Sequence, residues 1–375
     1  MKRKEFIKKG ILGTAAIGAT GSINSCTSDT ALTIDVPAIN FNKTFEWRMT
    51  TVWGKNFPVF GESANLIAKW ISEMSNGRLN IKVYGNGELV PGYETFDAVS
   101  MGVTEMGAGC SYYWQGKEPA AVFFATIPFG MNAQQVLSWL VGGDQDGMKL
   151  WKEVYAPFDL IPFIGGNTGV QMGGWFNKEI NSMEDLKGLK MRIPGLAGKA
   201  LEKAGGAAVN VAAGEIFTNL ERGVIDATEW VGPYHDYKLG LHKAAKYYYA
   251  PGWHEPGTQL EFIINTKAWQ KLPTDLREIV HAATHKVQTW MLAEFDAQNG
   301  LYLKKLLEEE GVVLKEFPDE VLRSLKQYSK EAVSELVGAD PLAGKVYDSY
   351  QKFMNRNKAW SRITEKAYYN KILDV

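Results

Sequence analysis

From Thr274 to Glu310 the chain carries apolar residues at helical spacing, with no proline and a single glycine, Gly300. Leu276, Ile279, Ala283, Val287, Trp290, Leu292 and Phe295 lie on or near one face. Pro273 suits the first turn of such a helix and Gly311 its end. If continuous, it spans roughly 55 Å at 1.5 Å per residue. That exceeds one small domain, so the helix is expected to brace two lobes, with a kink at Gly300. The length of 375 residues admits two domains of ordinary size.

The rest of the chain alternates between two periods. Phe45 to Trp53 reads as a strand, Pro58 to Ser75 as a helix ended by Asn76-Gly77, and Leu79 to Tyr84 as a strand. A short helix at Tyr93 to Met101 and a strand at Met106 to Ala108 follow. Further on, Phe163 to Phe176 reads as one strand, and Ser182-Met-Glu-Asp has capping-box form. Strands are expected at Lys190–Ile193, Ala208–Val211 and Ala227–Val231, with helices at Gly198–Ala204 and Gly214–Arg222. Leu260 to Asn265 is expected to return to the first lobe. A strand at Val312–Phe317 and helices complete the chain. Strand, helix, strand with short loops is an α/β pattern and predicts a mainly parallel sheet.

Hydrophobic residues make up 45 %, enough for a core without disulfides. Net charge is −1, from 41 basic and 42 acidic side chains with no dominant block, so no nucleic-acid or anionic-membrane surface is indicated. Lys2, Arg3, Lys4, Lys8 and Lys9 precede an apolar stretch, Gly10 to Ile23, of signal-peptide length. K-R-K-E-F-I-K-K resembles a twin-arginine export signal in which Lys2 replaces one arginine. Ile23-Asn24-Ser25-Cys26 resembles a lipoprotein cleavage box, apart from Asn24; an ordinary cleaved signal is the other reading. With Cys26 lipidated or removed, Cys110 stands alone and no disulfide forms. Export to the periplasm is the expectation, with a lipid anchor at Cys26 as an option.

Catalytic motifs are missing. No G-x-S-x-G elbow occurs, and Cys110 reads as a small buried side chain. His281 and His285 have the i, i+4 spacing of a helical metal pair but lie in H-A-A-T-H, not H-E-x-x-H. Pro256 after His254-Glu255 excludes a zincin helix there. Gly195-Leu-Ala-Gly198-Lys199 lacks P-loop spacing. What remains is Gln171, Arg192, Glu229 and Glu255, set among glycines, prolines and tryptophans that bury polar groups. A buried charge is costly unless paired. Arg192 closes a predicted strand, where open α/β folds place ligands. Two readings of it stand: a planar fork for a ligand carboxylate, or a salt bridge to Glu229 or Asp226. Glu229 and Glu255 also admit a metal-assisted hydrolase, with either as base.

The motifs F-D-A-V-S-M-G (96–102), S-Y-Y-W-Q-G-K (111–117), G-N-T-G-V-Q-M-G-G-W-F (166–176), L-K-G-L-K-M-R-I-P-G-L (186–196), D-A-T-E-W-V-G-P (226–233) and Y-Y-Y-A-P-G-W-H-E-P-G (247–257) resemble the substrate-binding proteins of tripartite ATP-independent periplasmic (TRAP) transporters. Within these the chain looks like the 2-oxo acid-binding subgroup. The resemblance implies a two-lobed α/β fold like that of periplasmic binding proteins, with mixed sheets around a cleft. The lobes would be 45–166 with 258–285, and 167–257 with 286–340. They would follow a signal at 1–26 and a linker at 27–44, and precede a helical tail at 341–375 of the kind that dimerises. Arg192 would clamp a substrate carboxylate. Gln171, Glu229, the backbone carbonyl of Trp230 and Glu255 would hold a cation, Na⁺ for 2-oxo acids or Ca²⁺ with lactate. Trp53, Tyr112 and Tyr113 match cleft-facing segments of the other lobe. The implied function is not catalytic: a pyruvate-like acid is captured and passed to the membrane permease subunits.

Overall fold

The structure, a computed structural model, describes residues 42–373, all within one compact unit. The expected export signal, Cys26 and the linker up to residue 41 lie outside the described residues. The first half contains β1 (Phe45–Thr51), α1 (Phe60–Met74), β2 (Leu79–Tyr84), α2 (Thr95–Ser100), β3 (Met106–Gly109), α3 (Val122–Ala125), α4 (Ala133–Val141), α5 (Asp146–Tyr155) and β4 (Leu160–Asn167). Next come β5 (Gly174–Phe176), β6 (Lys190–Arg192), α6 (Gly195–Lys203), β7 (Ala207–Val209), α7 (Ile216–Glu221), β8 (Ala227–Thr228), α8 (Pro233–Lys238), α9 (Leu241–Ala244) and β9 (Tyr247–Ala250). The chain ends with β10 (Gln259–Asn265), α10 (Thr266–Lys271), α11 (Thr274–Glu308), β11 (Val313–Glu316), α12 (Asp319–Ala339), α13 (Pro341–Ile363) and α14 (Glu365–Lys371).

Two mixed sheets result, ordered β2-β1-β3-β10-β4 and β11-β9-β5-β8-β6-β7. β1 pairs in parallel with β2 and β3, as strand–helix–strand connections demand. β10 is antiparallel to both β3 and β4, which corrects the mainly parallel expectation. The reason is its route. β10 arrives through a loop from the second sheet, so no helical crossover forces it parallel.

The expected single strand Phe163–Phe176 is two strands in two sheets. β4 ends at Asn167, and β5 begins at Gly174 and pairs with β8 and β9. Gly166 is central to the break. Its φ is 122°, and a Cβ there would overlap the Met291 side chain of α11. The apolar character is continuous because both strands are buried, not because they are one strand.

α11 runs unbroken for 35 residues, through Gly300. Its first half lies on β4, where Gln288 Oε1 accepts from the Gly166 amide at 3.0 Å. Its second half meets α8: Phe295 packs on His235, and Asn299 Oδ1 accepts from the Tyr234 amide at 3.1 Å. The helix therefore touches the layers of both sheets. Its buried stripe includes Val280, Thr284, Gln288 and Met291, while Ile279, Trp290 and Leu292 are only half-buried. Polar residues enter the stripe because β4 and β10 present backbone and amide groups that need partners.

One cluster of buried side chains runs from Trp47, Ile67 and Phe96 through Val287 and Phe295 to Trp175, Trp230 and Tyr248. A smaller one, with Met191, Leu201, Phe317 and Leu325, joins the second sheet to α6 and α12. α13 is anchored by Ala343, Val346 and Tyr350, whose hydroxyl accepts from the Met131 amide at 2.6 Å. Beyond Tyr350 the tail exposes Trp360, Ile363, Tyr369 and Ile372.

Candidate functional site

β6 and β8 are parallel neighbours, with Arg192 in register with Thr228. The expected strand Ala227–Val231 stops at Thr228, so Glu229 and Trp230 lie just past its carboxyl end. The Glu229 amide donates to Arg192 O at 3.3 Å, which sets the two side chains side by side. Gln171 sits in the β4–β5 connector and Glu255 in the β9–β10 connector. These loops are tied by Gln171 N to Glu255 O (3.2 Å) and Thr168 N to Thr258 O (3.1 Å). Gly252 makes the crossing possible, since a Cβ there would overlap the carbonyl of Gln171.

The side chains complete the cluster. The Arg192 guanidinium is ion-paired to Glu229 Oε1, with the two side chains 3 % and 1 % exposed. It also lies 5.0 Å over the Trp230 ring. His254 Nε2 meets Glu229 Oε2 at 3.2 Å. Gln171 Nε2 donates to Glu255 Oε2 at 2.7 Å, and the Thr258 hydroxyl donates to the same oxygen. Three buried atoms of this cluster have no hydrogen-bond partner among the described residues: Gln171 Oε1, Arg192 Nε and His254 Nδ1. Asp226, the other partner considered for Arg192, instead accepts from the Lys190 amide at 2.9 Å.

Burial would depress the Arg192 guanidinium, but Glu229 overrides it and holds the group above its ordinary value. Glu255 has no ion-pair partner among the described residues, and the pull of His254 and Arg192 only partly offsets its burial. Burial, and then the charge of Glu229, push its carboxyl up to about 7. The site thus holds one guanidinium against two carboxylates, and the second carboxylate is under-compensated. Ligand atoms of Glu229, His254 and Glu255 all lie within 4.8 Å of one another. With the orphan Gln171 Oε1 they form a mainly oxygen donor set, which suits a hard cation.

The cluster borders a void of about 10 Å³ enclosed by Trp53, Phe60, Tyr112, Tyr113, Arg192, Gln171 and Trp230, among others. That is about one water's worth of space. Trp53, Tyr112 and Tyr113 come from the first-sheet layer, Arg192 and Trp230 from the second. The structure therefore brings all the predicted residues to one place, Glu229 and Glu255 standing one contact further back. Burial raises the Tyr112 and Tyr113 hydroxyls well above their ordinary value, so both are neutral donors.

His254, Thr168, Thr258 and Phe60 escaped the sequence reading. Thr258 had a signal, since it follows Glu255 by three residues across a Pro-Gly turn. His254 was weighed only as part of a zincin helix, because its partner Glu229 is 25 residues away. Two supports were also missed. His235 accepts from Trp230 Nε1 at 3.0 Å and donates through Nε2 to Pro58 O at 2.7 Å. Burial lowers its pKa to about 3, so it stays neutral and links Trp230 to the segment before α1. Asp236 accepts from the Val231 and Gly232 amides, Trp175 Nε1 and the Tyr248 hydroxyl, which holds the turn after Trp230.

The chain is similar to known proteins over most of its length. Residues 49–339 match the family model described as bacterial extracellular solute-binding protein, family 7. A monocarboxylate 2-oxoacid-binding periplasmic protein of Nostoc sp. is 43 % identical, over 99 % of this chain and 98 % of its own. A TRAP periplasmic solute-binding protein of Colwellia psychrerythraea, solved with calcium and pyruvate, is 42 % identical with a TM-score of 0.85. That match covers 88 % of this chain and 100 % of the solved one. One from Pseudoalteromonas atlantica, solved with sodium and pyruvate, is 41 % identical with a TM-score of 0.84 over the same shares. With residues 49–339 of the 375 matched by the family model and the Nostoc relative similar end to end, the chain belongs to the family 7 bacterial extracellular solute-binding proteins.

Proposed function

We propose that this protein is the extracytoplasmic receptor of a TRAP transporter. It takes a small 2-oxo monocarboxylate such as pyruvate together with a cation and passes it to the membrane permease. The observation that carries this reading is the buried set of one guanidinium and two carboxylates beside the orphan Gln171 Oε1. A cation held by Gln171, Glu229, Glu255 and the Trp230 carbonyl compensates Glu255 and weakens the hold of Glu229 on Arg192. The guanidinium is then free to take a carboxylate through both of its donors. A 2-oxo acid offers a carboxylate oxygen and a neighbouring keto oxygen, which together suit one guanidinium and one ion. Trp53, Tyr112 and Tyr113 close over the acid. The pyruvate-bearing relatives support the reading.

The void is too small for an acid as it stands, so binding requires the two layers to part and close again. We assign the moving lobes to 45–166 with 258–285 and to 167–257 with 286–340. Na⁺ and Ca²⁺ both suit the donors. One guanidinium, two carboxylates and the acid leave two negative charges, which a divalent ion cancels. Ca²⁺ is therefore expected to support tighter binding than Na⁺ at equal concentration. A lactate-like 2-hydroxy acid with Ca²⁺ is the alternative ligand. The hydrolase reading is the less favoured, because Glu229 is held by Arg192 and His254 and Glu255 by Gln171 and Thr258. The periplasm is the assigned location, with Cys26 as the candidate lipid attachment. The exposed apolar face at Trp360, Ile363, Tyr369 and Ile372 supports a homodimer built through the tail.

Calorimetry with pyruvate in Na⁺, in Ca²⁺ and in chelator without sodium tests the receptor reading. Binding is expected only with a cation, and Arg192→Ala is expected to weaken it at least 100-fold, about 2.7 kcal/mol. Full affinity in the absence of both ions would remove the bridging cation. Unchanged affinity in Arg192→Ala would remove the clamp.

A further inference from the structure

Val59, just before α1, is a β-branched residue with φ 55° and ψ −56°. With those angles and the Phe60 amide donating to Pro58 O at 2.5 Å, residues 58–60 form a γ-turn of the rare, strained hand. Val59 is fully buried, so this is no loose surface loop. A strained turn persists only where its surroundings over-determine it. Here part of the surroundings belongs to the other layer. The turn presents the Pro58 carbonyl to His235 of α8, whose Nε2 meets it at 2.7 Å. Trp230 Nε1 donates to Nδ1 of the same ring at 3.0 Å, which puts the imidazole proton on Nε2 and makes Nε2 the donor to Pro58. The buried ring stands edge-on to Phe57 and Phe60 at 5.2 and 4.7 Å between centroids, and both also touch Trp230, at 5.7 and 6.1 Å.

We infer that His235 is a positioning residue that latches the two layers through Trp230, so that the closed, loaded form is held by a bond the acid never touches. This rests on the receptor reading above. Trp230 is gripped twice by side chains, its ring by the Arg192 guanidinium at 5.0 Å and its indole N–H by His235. Its carbonyl, in that reading, is a cation ligand. Loading therefore fixes Trp230, Trp230 orients the imidazole, and the imidazole reaches the Pro58 carbonyl of the opposite layer. Trp230 and His235 are five residues apart in one segment and stay together when the layers part. The Nε2 bond to Pro58 O is the one that opening breaks. Pro58 O then keeps only the Phe60 amide, and the constraint on Val59 slackens. In the closed form the bond lies among aromatic rings, where an unmade partner is costly. The latch forms on closure, so it slows departure of the acid and does nothing for its arrival.

The test is stopped-flow tryptophan fluorescence with pyruvate and the supporting cation, on the wild-type protein and three variants. His235→Leu removes both hydrogen bonds without adding bulk. His235→Asn keeps an acceptor near the Nδ1 position but cannot reach Pro58. His235→Gln carries an amide N–H out to the Nε2 position. The Leu and Asn variants are expected to release pyruvate roughly tenfold faster or more, with association within about twofold of wild type. The Gln variant is expected to release it within about threefold of the wild-type rate. A residue that merely supports the fold would separate neither Asn from Gln nor dissociation from association. Should His235→Leu fail to fold by thermal melting, the Asn and Gln pair carries the same test. Unchanged dissociation in Leu and Asn, equal effects of Asn and Gln, or a loss carried by association overturns the latch and leaves the receptor reading standing. Failure of pyruvate to bind wild-type protein overturns the receptor reading, and the latch with it.

Discussion

Glu261 in β10 is a buried carboxyl held by Trp114 Nε1 and the Tyr155 hydroxyl, with no ion-pair partner among the described residues. Burial is the largest influence on it, and the two donors only partly offset that, so its pKa is pushed up to about 8. The ordinary carboxyl value is near 4.3. Between these limits the folded protein keeps a proton that the unfolded chain releases, so stability is lost as pH rises through the window. Glu261→Gln removes that titration. Its melting temperature is expected to vary less between pH 5 and pH 8 than wild type, with a difference in stability loss of at least about 1 kcal/mol. Equal slopes would show that Glu261 is ionised in the folded state. The same logic separates Arg192 from Glu261. Arg192 stood out in the sequence because K-M-R-I-P-G places a cation at a strand end. Glu261, in L-E-F-I-I-N, reads only as a polar residue in a strand, because its partners come from residues 106 and 147 positions away.

Elements differ in how far their own residues determine them. α1 was legible because Phe60, Ala64, Ile67 and Ile71 recur at helical spacing and all are buried. β2 was legible in full, as Leu79–Tyr84. β4 and β5 were not separable, since their division depends on Gly166 meeting Met291 of a helix more than a hundred residues later. β8 looked longer than it is because Glu229, Trp230 and Val231 are buried by side-chain contacts and not by strand pairing. α11 shows the reverse: its extent was plain, but its polar face was not. Gln288 Oε1 accepts from the Gly166 amide and from Gln259 Nε2 at 2.7 Å, and its own Nε2 donates to Gln259 Oε1 at 3.1 Å. Gln288→Leu deprives the buried Gly166 amide of this acceptor and leaves Gln259 only Gly166 O, Leu260 O and Asn167 Nδ2 as partners. It is expected to cost about 3 kcal/mol, read as a lowered urea midpoint at unchanged slope. A shift below about 1 kcal/mol would mean that β4 and α11 are held by apolar packing alone.

At the scale of the molecule, two connectors, β4–β5 and β9–β10, carry Gln171 and Glu255 between the sheets, and α11 runs alongside both layers. The cluster sits where these crossings meet, so parting the layers changes the site and loading the site holds the layers together. α13 is anchored through Tyr350, whereas Trp360, Ile363, Tyr369 and Ile372 are open to solvent. A chain ending at Asn357 is expected to sediment as a monomer, the full-length protein as a dimer, with pyruvate affinity unchanged between them. The same mass for both would place the interface elsewhere or abolish it.

By itself the sequence determined the α/β class, the long helix, the approximate limits of α1, α2, α6 and α7, and the four polar residues that converge. These depend on local periodicity and on the cost of burying charge, both of which a single chain segment expresses. The tertiary structure alone decided that β10 is antiparallel, that Glu229 is shared between Arg192 and His254, and that burial and Glu229 outweigh the cations near Glu255. It also decided that Trp53 and Tyr113 of the first-sheet layer line the same void as Arg192 and Trp230. Each of these is a relation between segments distant in the chain, and no local pattern records which distant groups a fold will bring within a few ångströms.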